Sequence, residues 1–239
     1  MTLAVRAPRD LVAAVTESAR APIDFVRRMG SGRFSRVYEI CNRDKPSLRC
    51  IVKHVTSGSQ ADVKEEYDFQ LLCHGAGLAV RPYSLGLRPK FIAMERIDQT
   101  LADFLRNRQP EDVLQKVLFT VIDLIYRLAD LNITHGDMHW ENIGFIYKMG
   151  ILSCERVPVL LDFGSARHGA HAEAEMVQLI RTAYPLGKEN MIQDPYNRKW
   201  LRDRLLTIYQ NNFGPVSGRN HFEVRFHAIE DAWNADRCK

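Results

Sequence analysis

The stretch from Glu111 to Asn132 constrains the fold more than any other part of the chain. Val113, Val117, Leu118, Val121, Ile122, Ile125 and Leu128 recur there at helical spacing. A helix apolar over that much of its circumference is largely buried. The chain has 239 residues, 46% hydrophobic and 26% charged, which suffices for one large domain or two closely packed lobes.

Before that helix the pattern is mostly that of strands. Phe25-Val26, Val37-Tyr38-Glu39-Ile40 and Cys50-Ile51-Val52 are short, β-branched and apolar, separated by Gly-Ser-Gly and by the polar turn Asn42-Arg43-Asp44-Lys45-Pro46. A helix fits Ala61 to Cys73, with Gly75 and Gly77 as stop signals, and Phe91-Ile92-Ala93-Met94 reads as a further strand. After the long helix, short strands return around Ile143–Phe145 and Val159–Leu161, and helices resume at Glu173–Thr182 and Lys199–Asn211. The β-rich part gives way to the helical part near Asp98–Thr100, and a cleft between two such lobes is a natural ligand site. At the start, Pro8 to Arg20 reads as a short helix with Leu11, Val12, Val15 and Ala19 on one face and Pro22 after its end. Packing on its own domain is the favoured role for that helix, and docking a partner is the alternative.

Composition excludes several classes. The five cysteines, Cys41, Cys50, Cys73, Cys154 and Cys238, are an odd number without C-x-x-C spacing. That argues against a disulfide framework or a structural zinc site and fits a reducing compartment. Net charge is +4, with basic residues scattered rather than striped. This suits an acidic partner such as a nucleotide without indicating direct nucleic-acid binding. Met1 to Arg6 lacks the apolar core of a secretory signal, and no run approaches the roughly eighteen apolar residues that span a bilayer. The expectation is a soluble intracellular protein, of cytoplasm or nucleus, with no membrane partner.

Three segments carry chemistry. In Gly30-Ser31-Gly32-Arg33-Phe34-Ser35-Arg36-Val37, two glycines remove side chains where a backbone must approach phosphate oxygens, and the amides donate to those oxygens. A flexible turn without a ligand is the other reading. A dinucleotide fingerprint is disfavoured, because the chain continues as strand after Val37 and Ser35 stands in the third glycine's place. A Walker loop is excluded by the absence of Gly-Lys-Ser/Thr. Next, Lys53 ends an apolar strand, either directing its ammonium at phosphates or snorkelling to the surface. A phosphate-binding lysine needs an acidic partner, and of Glu65 and Glu66 the second is preferred, since Phe69 and Leu72 then line the packed side of its helix. The strongest signal is His135-Gly136-Asp137-Met138-His139-Trp140-Glu141-Asn142, followed twenty residues after Asn142 by Asp162-Phe163-Gly164.

In this order, over roughly Phe25 to Arg167, these elements resemble the protein-kinase superfamily. Asp137 with Asn142 is similar to its catalytic loop, Asp162-Phe163-Gly164 to its metal-binding triplet, Gly30–Val37 to its phosphate loop and Val52-Lys53 to its strand-three lysine. The resemblance implies an α+β, protein-kinase-like bilobal fold with a small β-rich N-lobe and a reduced helical C-lobe. It divides the chain into an N-terminal helical extension at 1–22, an N-lobe at 23–97 and a C-lobe at 98–239. It further implies ATP with Mg2+, or Mn2+ in its place, and a protein substrate, with a regulatory protein partner left open. Asp137 then orients the acceptor hydroxyl, Asn142 and Asp162 hold the metal, and Lys53 paired to Glu66 grips the phosphates. Gly30, Ser31, Gly32, Arg33, Phe34, Ser35 and Val37 cover the nucleotide, while Met94, Glu95 and Ile97 meet the base.

The departures shape the functional expectation. Gly136 stands where many protein kinases have an arginine that pairs with an activation-loop phosphate, and Ala166 to Ile180 contains no Ser, Thr or Tyr. Activity is therefore expected not to depend on activation-loop phosphorylation. His139 replaces a lysine that approaches the transferred phosphate; it either donates in that lysine's stead or only orders the loop. The docking segment after Gly164 is short, as in small kinases of large DNA viruses and bacterial effectors, and Tyr147–Pro158 looks like an insertion. His168 and His171 lack a third ligand, which favours a solvated loop. The leading expectation is a serine/threonine protein kinase. A small-molecule kinase is the alternative, and a nucleotide-binding pseudokinase scaffold a second one.

Overall fold

The computed structural model describes residues 7–32, 34–107, 109–149, 154–182, 203–205 and 207–208. In chain order the first elements are α1 (Arg9–Ala19), β1 (Ile23–Ser31), β2 (Ser35–Asn42), β3 (Arg49–Val55), α2 (Gln60–Gly75), β4 (Pro82–Leu87) and β5 (Lys90–Glu95). Then follow β6 (Gln99–Thr100), α3 (Leu101–Leu105), α4 (Glu111–Asp130), β7 (Ile133–Thr134), β8 (Ile143–Met149), β9 (Cys154–Leu160), β10 (Arg167–His168) and α5 (Ala172–Thr182). They fall into two compact units, one of Met1–Gln99 with Gly144–Ala166, the other of Thr100–Ile143 with Arg167–Lys239.

In the first unit, five antiparallel strands are ordered β1-β2-β3-β5-β4. Helix α1 covers one face, where Leu11 and Val15 pack with Ile23, Tyr38, Ile40, Val52, Phe91 and Ala93. On the other face, Val63 of α2 meets Val80, Ile92, Met94 and Val159. Strand side chains alternate between faces, so burying Val52 against α1 commits Lys53 to the α2 side. Helix α2 starts with a reciprocal cap: Asp62 N–H donates to Ser59 Oγ at 3.1 Å, and Ser59 N–H donates to Asp62 Oδ2 at 2.7 Å.

Two details differ from the sequence pattern in this unit. Ala19 is exposed, and Ala14 packs against the α1-side core in its stead. The strand β4 had no clear signal, since Pro82 opens it and Gly86 interrupts its apolar run. That glycine is required by close approach: a Cβ there would lie 2.0 Å from the Phe91 ring.

Residues 144–166 return to the first unit as the β8–β9 hairpin, with β6 on its far edge. Within the stretch read from sequence as an insertion in this hairpin, Tyr147–Met149 and Cys154–Pro158 are strand residues, and residues 150–153 lie outside the described residues. The end of β9 is fastened to the segment after α2, where Leu160 N–H donates to Leu78 O at 2.8 Å and Leu160 forms a parallel bridge with Ala79. Two residues later comes Asp162.

In the second unit, α4 buries Leu114, Val117, Leu118, Val121, Ile122, Leu124, Ile125 and Leu128. Its buried stripe begins at Leu114, and Val113 is only half-buried. The helix stops at Asp130, and Asn132 takes the left-handed conformation, φ 56°. The following loop is bounded by β7 pairing with β10, Thr134 opposite Arg167. Of the helix expected at Lys199–Asn211, residues 203–205 and 207–208 are helical and the rest lie outside the described residues. Among the described residues no helix is long and apolar enough to cross a membrane. Burial raises the Cys50 and Cys73 thiols to about 11 and about 12, which keeps both protonated and unreactive at neutral pH.

Candidate active site

The first unit builds a buried charge cluster from three distant sequence positions. Lys53 Nζ donates to Glu66 Oε1 on α2 and to Asp162 Oδ1 after β9, both at 2.6 Å. Lys53 and Glu66 are buried, while the Asp162 side chain is 44% exposed. Burial pushes the Lys53 ammonium down, but the charges of Glu66 and Asp162 more than reverse this and leave it above the ordinary lysine value. For Glu66 burial dominates and raises the carboxyl, against the pull of Lys53 and with a further push from Asp162. The directions agree physically, because two carboxylates share a single ammonium.

Backbone geometry at this cluster is unusual. Asp162 has φ 58°, a conformation rare for residues other than glycine and typical of functional sites. A Cβ on Gly164 would sit 3.2 Å from Asp162 Oδ1 and 3.5 Å from Glu66 Oε2, so glycine there leaves room for both carboxyl groups. Glu66 rather than Glu65 is the partner of Lys53, as preferred from the sequence, but part of the stated reason is corrected. The buried face of α2 is Val63, Glu66, Phe69, Gln70 and Cys73, and Leu72 is exposed.

Gly30 and Ser31 belong to β1, Ser35 and Val37 to β2, and only Gly32 to Phe34 form the connection. The turn is held by Gly32 N–H on Ser35 O at 2.9 Å and by Thr56 N–H on Phe34 O at 2.9 Å. Phe34 is exposed, and Arg33 lies outside the described residues. Gly30 would meet nothing within 4 Å if given a Cβ, and Gly32 only Ser35 Oγ at 3.7 Å. Neither has a positive φ. Among the described residues, nothing packs so closely that it requires glycine at these two positions.

Met94 is buried on the Lys53 face, with Gln70 Nε2 3.7 Å from its sulfur. Glu95 N–H donates to Arg81 O at 2.8 Å. Ile97 packs against Gly144, where a Cβ would lie 2.8 Å from Ile97 Cγ2. Beside this segment sequence reasoning missed a network centred on Glu39, a fully buried carboxylate. Arg27 Nε bonds its Oε2 at 2.6 Å, while Arg49 NH1 and Arg96 Nε approach its Oε1 at 3.2 Å. The Arg96 contact is charge proximity, since its N–H is not aimed at the oxygen. Burial raises the Glu39 carboxyl, and the hydrogen bonds from Arg27 and Arg49 with the charges of Arg27 and Arg96 bring it below the ordinary range. A glutamate inside an apolar strand was the available signal.

In the second unit, residues 135–142 form a loop tied to itself. Asp137 N–H donates to His135 Nδ1 at 3.3 Å, and Asn142 Nδ2 donates to Asp137 O at 2.9 Å and lies 3.4 Å from Asp137 Oδ2. With its Nδ2 so directed, the Asn142 amide turns its donor end into the loop. His139 accepts from Glu141 N–H through Nδ1 at 3.3 Å and places Nε2 3.6 Å from Asp137 Oδ2. One ring nitrogen thus accepts within the loop and the other lies beside the Asp137 carboxylate. Gly136 has φ 79°, which an arginine would adopt only under strain. Asp162 in the first unit and Asn142 in the second each carry a hard oxygen of the kind Mg2+ prefers.

Two more residues bear on this loop and were not singled out in the sequence. Glu175 Oε1 accepts from Gly136 N–H at 2.8 Å, and Gln178 Oε1 accepts from Met138 N–H at 2.9 Å. Both lie on α5. Glu175 is buried in a stripe with Ala172, Met176 and Leu179, and a charged residue at i, i+3, i+4, i+7 apolar spacing is the signal that pointed to it.

Known proteins share this fold. The Rio2 kinase of Chaetomium thermophilum, solved as an ADP/Mg2+–phosphoaspartate complex, superposes with a TM-score of 0.54 at 17% identity, over 92% of this chain and 75% of that one. The chain has the protein-kinase-like fold. A protein-kinase-like sequence also stands among curated relatives: the probable serine/threonine-protein kinase glkA of Dictyostelium discoideum is 29% identical over 152 residues, 61% of this chain. The chain spans 30% of the length of that relative. No family model matches it.

Proposed function

We propose that this chain is an ATP- and Mg2+-dependent protein kinase that transfers the γ-phosphate to serine or threonine hydroxyls and needs no activation-loop phosphate. The observation that carries the proposal is the Lys53 ammonium held at 2.6 Å by both Glu66 and Asp162. Phosphoryl transfer asks little covalent work of a protein; it asks for positioning and for neutralisation of negative charge. A lysine fixed by two carboxylates is a preorganised cation for the α and β phosphates. Gly30 and Gly32, not required by the fold, leave backbone free to approach those phosphates. With the Glu95 amide already bonded to Arg81, the Ile97 amide is the linker donor for the base.

Asp162 and Asn142 would hold Mg2+ through oxygen, and the bound ion would neutralise charge on the phosphate oxygens. Asp137 accepts the proton of the attacking hydroxyl. His139 holds the loop, and Gly136 removes the side chain through which an activation-loop phosphate acts in many kinases. The name of the Dictyostelium relative supports the serine/threonine acceptor.

The test is transfer of label from ATP–Mg2+ to the chain itself and to generic protein substrates. Asp137→Asn is expected to lower transfer on the order of a hundredfold or more, while the thermal shift given by ADP–Mg2+ is kept. Label moving only to sugars, aminoglycosides or choline-like acceptors would replace the protein substrate by a small molecule. A nucleotide-induced shift with no transfer to any acceptor would leave a nucleotide-binding scaffold.

A further inference from the structure

We propose that Gln178, one turn beyond Glu175 on α5, is a positioning residue that sets Asp137 by clipping the backbone on both sides of it. The inference rests on the catalytic reading of Asp137 above. The side-chain tethers of Asp137 are weak: its carboxyl is 49% exposed, 3.4 Å from Asn142 Nδ2 and 3.6 Å from His139 Nε2. The residue before it is a glycine at φ 79°, the backbone with the most freedom to lose on ordering. The loop ties the Asp137 backbone through His135 and Asn142, and the peptides on either side of it are held from outside the loop.

The Gln178 amide does this with both its ends. Its Oε1 accepts from Met138 N–H at 2.9 Å and its Nε2 donates to Gly136 O at 3.4 Å, so the side chain bridges across Asp137. Glu175 Oε1 takes the Gly136 N–H at 2.8 Å beneath it. Three of the four polar groups of the residues flanking Asp137 are thereby fixed from a single helix face. An amide can accept from one peptide and donate to the other, whereas an ionised carboxylate only accepts and an ammonium only donates. The helix carrying the clip begins at Ala172, ten residues after Asp162.

The experiment compares the full chain with Gln178→Leu and Gln178→Glu by steady-state phosphotransfer, ADP–Mg2+ thermal shift and amide hydrogen exchange. Gln178→Leu is expected to lower kcat about tenfold, to leave KM for ATP and the nucleotide shift within about twofold, and to speed exchange at Gly136 and Met138 roughly fivefold. Gln178→Glu keeps the acceptor and loses the donor, so it should protect Met138 while still slowing turnover. An unchanged kcat with faster exchange at those amides overturns the positioning role alone. A general loss of thermal stability, with kcat and KM moving together, also overturns it, because that is the mark of a merely structural contact. If the natural chain transfers phosphate to no acceptor, the catalytic reading of Asp137 fails first and takes this inference with it.

Discussion

Replacing Lys53 by methionine keeps the volume of the side chain and removes its ammonium from a site where Lys53 and Glu66 are both buried. Removing one partner of a buried ion pair costs about 3–5 kcal/mol. Glu66 can limit that cost by taking up a proton. For an ordinary carboxyl with a pKa of about 4.3, protonation at pH 7 costs close to 4 kcal/mol at 1.36 kcal/mol per unit. Glu66 already sits above the ordinary range in the natural protein, so the charge part of the deficit stays below that figure, and a total of about 3 kcal/mol is expected. The sign with pH follows. Loss of Lys53 raises the folded Glu66 value further, the native variant then binds more protons than its unfolded chain, and its stability falls as pH rises. The gap to the natural protein should widen from pH 5 to pH 8 by up to about 1.4 kcal/mol per unit. Urea unfolding followed by circular dichroism at pH 5, 6, 7 and 8 reads this out, with Lys53→Met/Glu66→Leu closing the cycle. The double variant should recover about 2 kcal/mol relative to the sum of the single changes. A gap that does not change with pH, or single effects that simply add, would refute the buried pairing of Lys53 with Glu66.

Two other perturbations test the scaffold that carries the site. Glu39 has a depressed pKa, so its contribution is present above the ordinary carboxylate value and is lost as pH falls through the folded one. Glu39→Gln should cost about 2 kcal/mol at pH 7, and urea midpoints of variant and natural protein should converge below about pH 4. Gly86→Ala forces a methyl group against the Phe91 ring. Overpacking of that kind costs about 1–3 kcal/mol, and calorimetry should show Tm lowered by roughly 2–4 °C for each kcal/mol.

The elements that could be read from sequence were those whose pattern is local. The apolar repeat of α4, the alternation in β2 and β3 and the helical signal of α2 all express burial through near neighbours. Order along the chain made Lys53, Glu66 and Asp162 candidates for one chemistry, while long-range contacts such as the pinning of β9 to Leu78 and Ala79 bring Asp162 to the lysine. What was missed depends on contacts without a periodic signature. Leu72 looked like a packed position on α2 and is exposed, because burial there goes to the polar Glu66 and Gln70. The Glu39 network draws arginines from β1, β3 and the segment after β5. The clip on Gly136 and Met138 uses side chains some forty residues away. Strand β4 hid behind a proline and a glycine, whose positions make sense only once the Phe91 ring is seen against Gly86.

Around Lys53 the resident charges do not cancel: two carboxylates face one ammonium, leaving an excess of one negative charge. A bare polyphosphate arriving there would be repelled by Asp162 as well as drawn by Lys53. A divalent ion travelling with the polyphosphate would reverse that balance, so under the proposed function the pair of them, rather than the free anion, is the species these charges would favour.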